Sequence, residues 1–311
     1  MIDLGSLLTV RYQEGYGEFV VYRPAITLNF YMSLGTPESG ARMAEGIELF
    51  LTVVPGKNLQ CYKKANGEHA TLDARVVRRD LKKLRSPDVD LVEMRYYAGS
   101  PGNLGEYGLV VEANRFEPAF PEHAHLLRFD LPHNILAERD PDWLLDLVAQ
   151  LGTLVPFETG SVGFALTYLG SHEREAYRAL TGYLPRYLGL DPAHVTSRRY
   201  MRNHTPDAHW VTLLGNDMVQ RLGGGDRVRE SLPRVPITSV TNGLLLRGAA
   251  LPPVGDVNRG ANDIGQLPEI ARLLKPFRFN PPWLFSDGFD VPKWLARFDD
   301  RAAEDWDNAK L

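Results

Sequence analysis

The residues best placed by type and spacing to do chemistry stand in LPPVGDVNRGANDIGQLP, residues 251–268. Asp256, Asn258, Arg259, Asn262 and Asp263 crowd among glycines and prolines, between an apolar run and a short helical pattern. Carboxylate and amide oxygens at this density suit a Mg²⁺ ion, and an arginine fork suits a phosphate. The same residues can serve architecture instead. Asp and Asn bond to backbone amides two residues on, and Gly255 and Gly260 allow turns that other residues resist. The five donors of Arg259 can close several loop carbonyls at once. One polar loop is not a complete catalytic constellation, so we read residues 254–264 as a structural loop. In that reading Asp256 and Asn258 bond inside the loop, and Arg259 is buried on carbonyls or an acid. A metal-dependent hydrolase using residues 256–263 with His204 or His209 is the competing reading.

The remaining candidates are thinner. PEHAHLL sets His123 and His125 on one face of an extended segment, and NHTPDAHW gathers His204, Asp207 and His209. Neither has the HExxH spacing of a zinc helix, and Pro206 disfavours a ligand-bearing helix. Glycine-rich RLGGGDR, 221–227, lacks a following Lys-Ser or Lys-Thr and trails an expected helix, NDMVQRL, where a phosphate loop would follow a strand. It reads as a helix cap and turn. The chain has no GxSxG nucleophile elbow, and its one cysteine, Cys61, has no reactive motif around it. We expect no catalytic residues, no metal and no cofactor.

Alternating strands and helices must position these groups. EFVVYRPAITLNFYMSL reads as two strands split by Pro24. A helix follows, with Thr36 as cap, Pro37 at its start and Met43, Ile47, Phe50 and Val54 on one face. ARVVRRDLKKLR, 74–85, predicts a helix with Val77, Leu81 and Leu84 buried. DLVEMRYYAG, EYGLVVEAN and LLRFDLP are strands. DPDWLLDLVAQLG is a helix capped by Asp140 and ending near Gly152. SVGFALTYL is a strand, and SHEREAYRALTGYLPRYLG a helix that Pro185 ends or kinks. HWVTLLG and ITSVTNGLLLRGAAL supply further strands, and PEIARLLKP a helix stopped by Pro276. Irregular alternation with hairpin-like pairs predicts an α+β fold of mixed or antiparallel sheet with packed helices. We treat 1–311 as one domain, with two similar lobes, 1–135 and 136–285, and a tail, 286–311.

Composition narrows the class. With 44% hydrophobic and 24% charged residues in 311, the chain has the profile of an ordinary globular protein. No apolar run approaches the ~20 residues that cross a bilayer. The start has no basic n-region or long apolar core, so we expect no secretory signal and a cytoplasmic protein without a membrane partner. A lone cysteine agrees with a reducing compartment. The net charge of -4 gives no general sign of nucleic-acid binding. Arg75, Arg78, Arg79, Lys82 and Lys83 form a basic stretch, which a solvated helix face explains better than a binding patch.

SHEREAYRALTGYLPRYLGLD, HWVTLLGNDMVQRLGG and LPPVGDVNRGANDIGQLPEIARLLKPFRF together resemble the bacterial type VI immunity family. The resemblance spans about residues 18 to 285, is strongest from 161 to 279, and leaves out the chain start and the tail after Phe285. It implies a non-enzymatic antitoxin that binds a cognate type VI secretion effector, often a nuclease, one to one and occludes it. The shared loop would then be architecture, and the toxin would be read by variable surfaces. In the tail, Trp294 and Phe298 lie four apart on one helical face, near Asp299, Asp300, Glu304, Asp305 and Asp307. Large aromatics usually fill cores. The alternative gives Trp294, Phe298, Asp299, Asp300, Glu304 and Asp305 to a basic toxin as anchors and acidic rim.

Overall fold

In a computed structural model the described residues are 9–14, 17–33, 36–54, 59–89, 91–100, 103–114, 123–168, 182–191, 201–259, 264–279 and 291–301. Eleven strands lie among them: β1 (Val10–Glu14), β2 (Gly17–Met32), β3 (Cys61–Lys63), β4 (His69–Thr71), β5 (Leu91–Tyr97), β6 (Gly108–Asn114), β7 (His125–Pro132), β8 (Thr159–Tyr168), β9 (Val211–Gly215), β10 (Ile237–Val240) and β11 (Gly243–Arg247). They make one antiparallel sheet in the order β10-β11-β9-β8-β2-β7-β6-β5-β3-β4, with β1 beside β2. The helices are α1 (Thr36–Val53), α2 (Ala74–Leu84), α3 (Ile135–Glu138), α4 (Pro141–Leu154), α5 (Asn216–Arg221), α6 (Gly225–Ser231), α7 (Leu267–Leu274) and α8 (Val291–Leu295). The protein is α+β, as its sequence pattern predicts. Both halves of the chain contribute to the sheet, because β2 pairs with β8 through Tyr22–Tyr31 and with β7 through Ala25–Met32.

The split expected at Pro24 does not occur. β2 runs unbroken through that residue, which lies opposite Leu166 of β8. Tyr22 pairs with both Val10 and Tyr168, so β1 must lie on the edge of β2 that β7 also uses. On that edge β1 stops at Tyr22 and β7 begins at Ala25. Pro24 therefore sits in a gap, where a strand can do without an amide donor.

Period-two burial explains the layers. Ile26, Leu28 and Phe30 of β2, Leu127 and Phe129 of β7, and Met94 and Tyr96 of β5 face one core. Met43, Ile47 and Phe50 of α1, Leu81 and Leu84 of α2, and Leu144, Leu147, Val148 and Leu151 of α4 cover it. The stripes expected on these helices are the buried ones, except that Val77 of α2 is only half-buried. On the other face Leu214, Leu244 and Leu246 pack against Met218 and Val219 of α5, Val228 of α6 and Ile270 and Leu274 of α7. Farther along that face the sheet turns polar, with Arg128 and Asp130 of β7 buried as a two-bond pair at 2.7 and 2.9 Å.

Helix α4 begins as expected, Asp140 accepting from the Asp142 amide, but it passes Gly152 and ends at Leu154. An added Cβ at Gly152 would make only ordinary contacts with Val240, Phe157 and Leu245, so neither packing nor backbone ends the helix there. The helix end is closed from the β10–β11 turn: Asn242 Nδ2 reaches the carbonyls of Gly152, Thr153 and Val155 at 3.0, 3.0 and 2.9 Å. Loss of this cap orphans helix carbonyls. Asn242→Ala is expected to lower the unfolding free energy by ~1–2 kcal/mol, read from urea denaturation. An unchanged midpoint would show that water replaces the cap without cost.

Candidate functional site

The polar loop is tied to the segment before it in space. Leu188 and Gly189 amides donate to the carbonyls of Gly255 and Val254, and the Val257 amide donates to Arg186. Gly189 permits the approach, because a Cβ there would fall 1.9 Å from the Pro253 carbonyl oxygen. Gly255 turns the loop at φ 62, a left-handed conformation suited to glycine. Asp256 is buried and accepts from the Asn258 amide at 3.1 Å, the within-loop bond read from the sequence. Its main partner was not legible there. Arg186 Nε and Nη2 each donate to one Asp256 carboxylate oxygen at 2.9 Å, and the guanidinium lies over the Tyr187 ring. Asn258 is exposed on a 3-10 turn, Val257–Arg259, and the Arg259 side chain and residues 260–263 lie outside the described residues. Asp256 thus works as an internal clamp.

A second charged cluster lies in the NHTPDAHW segment. Asp207 is fully buried at φ 95, a rare backbone setting for a residue with a Cβ. Arg278 Nη2 stands 3.2 Å and Arg297 Nη1 3.6 Å from its two carboxylate oxygens. Arg278 also bonds Asp299 at 2.7 Å, and Lys275 reaches Asp299 at 3.0 Å. Arg297 donates to the Leu188 carbonyl at 2.8 Å and stacks over Trp294 and Phe298. Burial pushes the Asp207 carboxyl up to about 6 against the pull of both arginines, and lowers Arg297 to about 10. His209 is buried beside Asp191, Nδ1 to Oδ2 3.4 Å, and burial drives its imidazole down to about 4. His204 is apart from this set, its Nδ1 bonded to the Arg202 carbonyl. His125 is buried in β7.

Among the described residues no three His, Cys, Asp or Glu side chains converge as metal ligands. Asp207 and His209 come together as the sequence pattern suggested, but around arginines. Gly223 and Gly224, at φ 97 and 95, join α5 to α6, so the glycine run is the expected cap and turn. Arg186, Arg278 and Arg297 were missed because nothing local distinguishes them from surface arginines. Only the Trp294-x-x-Arg297-Phe298 spacing could have hinted at one.

Trp294 and Phe298 of the tail fill cores. Trp294 and Leu295 pack with Tyr22, Tyr31 and Tyr187, while Phe298 joins α7 and α5. Asp299 is spent on Arg278 and Lys275, and Asp300 is exposed. Glu304, Asp305 and Asp307 lie outside the described residues. The basic residues Arg75, Arg78, Arg79, Lys82 and Lys83 project from the outer face of α2, whose N-terminus Asp73 caps.

The sequence model of a family described as TsiV, type VI immunity for VRR-NUC, matches residues 42–308. A solved structure, the Pseudomonas aeruginosa T6SS protein PA0821, superposes with a TM-score of 0.74 over 97% of this chain and 89% of its own, at 17% identity. That likeness establishes a shared fold. No curated protein matches the chain. The family match covers most of the sequence and places it in the class of type VI immunity proteins. The chain belongs to the TsiV family, type VI immunity for VRR-NUC. The match also corrects the span read from motifs, which ended at Phe285. It includes the tail, and Arg297 and Asp299 show why: the tail completes the buried charge network.

Asp256→Ala leaves Arg186 without its carboxylate and should cost ~1–3 kcal/mol of stability; an unchanged melting temperature would remove the clamp role. His209 holds its proton less tightly folded than unfolded, where its value is 6.5. The stability it contributes is therefore present above about 6.5 and lost as pH falls toward 4. Between pH 7 and 5, wild type should lose about 2 kcal/mol more than His209→Gln. Equal losses in urea titrations at the two pH values would contradict this.

Proposed function

We propose that this chain neutralises a VRR-NUC nuclease effector by binding it one to one and blocking access to its nucleic acid. The family match over residues 42–308 carries the reading. The site geometry agrees with it, since the polar residues most suggestive of chemistry are engaged in internal clamps: Asp256 by Arg186, and Asp207 by Arg278 and Arg297. The place of action is the cytoplasm, where the nuclease would meet nucleic acid. No helix among the described residues is long and apolar enough to cross a membrane. A specific, stable complex of this kind buries on the order of 1,600 Å².

The test is a titration. A VRR-NUC nuclease effector, sought in the open reading frame next to the gene, is assayed on DNA with increasing amounts of the purified protein. Occlusion predicts that activity falls linearly to zero at one equivalent, with a 1:1 complex on size exclusion. Inhibition far below one equivalent would point to catalysis instead, and a fully active nuclease at excess protein would sink the reading.

A further inference from the structure

Near one end of the sheet a strand has an edge left bare by the described residues. β5 pairs with β6 along all of Leu91–Tyr97, but on its other side β3 covers only Tyr96 and Tyr97. The Gln60 amide donates to the Tyr97 carbonyl on the β3 side, and the Ala98 amide donates to Tyr107 on the β6 side. A residue's amide and carbonyl point the same way, and the direction alternates along a strand. Leu91 and Glu93 therefore turn their backbone groups to the bare edge, where no described residue pairs with them, while Arg95 faces β3 beside the Tyr62–Tyr96 pair. Such an edge is a template for another strand.

The edge opens into a groove of about 830 Å³ between α2 and the β3–β4 hairpin. Five bases, Lys63, Lys64, Arg79, Lys83 and Arg95, line it against two acids, Asp80 and Glu93, so its sign is positive although the whole chain carries -4. Asp80 is already bonded to Arg79 and to the Tyr96 hydroxyl, Lys64 to Glu68 and Arg95 to Glu112, which leaves Lys63 and Lys83 against Glu93. Lys63 and Lys83 have no ion pair among the described residues. Leu91 is 47% exposed at the mouth, an apolar contact awaiting cover. We propose that this edge docks an extended, acidic segment of the effector by strand addition: the outward backbone groups of Leu91 and Glu93 supply the bonds, and Lys63 and Lys83 pair with its carboxylates. The inference rests on the function proposed above and names the surface that serves it.

Proline at an outward position keeps the fold's own ladder but removes a donor from the edge. Binding of the VRR-NUC nuclease used in the titration to the full chain is measured by calorimetry for wild type, Glu93→Pro, Glu93→Thr and Lys63→Glu/Lys83→Glu. We expect Glu93→Pro and the charge reversal each to weaken binding at least tenfold, with Glu93→Thr binding as wild type does and with circular dichroism unchanged. If Glu93→Pro misfolds, the charge-reversed variant decides alone. Wild-type binding that survives in both the proline and charge variants overturns the docking edge and leaves the proposed function standing. A wild type that binds no nuclease overturns both. Two further results would assign the groove elsewhere and overturn the proposal: single-stranded DNA binding lost only on charge reversal, or a dimer of the free chain lost in Glu93→Pro.

Discussion

A carboxylate sealed inside a protein must be matched by cations that are sealed in with it, and Asp207 imposes that condition here. It sits at φ 95 with no exposed surface, facing Arg278 and Arg297. Left unpaired, such a charge would cost several kcal/mol, so the segments bearing its partners must close together. Arg278 follows α7, and Arg297 follows α8. Asp299 completes the balance on Arg278, and Arg297 reaches on to the Leu188 carbonyl. Four stretches far apart in sequence are thereby fixed against one another and against the sheet. Trp294 and Phe298 flank the same guanidinium, so the apolar and ionic attachments of the tail are one structure.

The Asp256 clamp extends this frame. Residues 186–189 hold the 254–257 loop by backbone bonds, and 187–191 lie against β8 through Asp191, whose amide donates to Phe164 and whose carbonyl accepts from Leu166. The loop is thus two steps removed from the central strand β2. Asp256, which in isolation would suggest a metal site, is here an attachment of one layer to the next. For an immunity protein this division is useful. A rigid interior held by buried ion pairs leaves surfaces and sheet edges free to vary with the partner, since surface substitutions away from such features cost little stability.

The two faces of the sheet show a related division. One is sealed by α1, α2 and α4 around an apolar core. The other carries the Arg128–Asp130 pair and, nearby, Arg95 bonded to Glu112 at 2.5 Å. β7 is buried on both faces, so a polar pair there must be satisfied internally, and its bidentate geometry does so.

Local sequence determined the elements whose physics is local. The stripes of α1, α2 and α4, the Asp140 cap, the glycine turn at 223–224 and the hairpin of β10 and β11 all follow from short-range pattern, because periodicity and capping act within a few residues. The motif set from 161 to 279 also pointed to the family. What tertiary structure decided is everything that depends on a distant partner. Pro24 stays within a strand because β1 ends before β7 begins. Helix α4 passes its glycine because Asn242, far along the chain, closes its end. Asp256 meets Arg186 and Asp207 meets Arg278 and Arg297, pairings that no spacing in the sequence encodes. A charge's partner is set by where the chain returns in space, and that return is dictated by the burial of the whole.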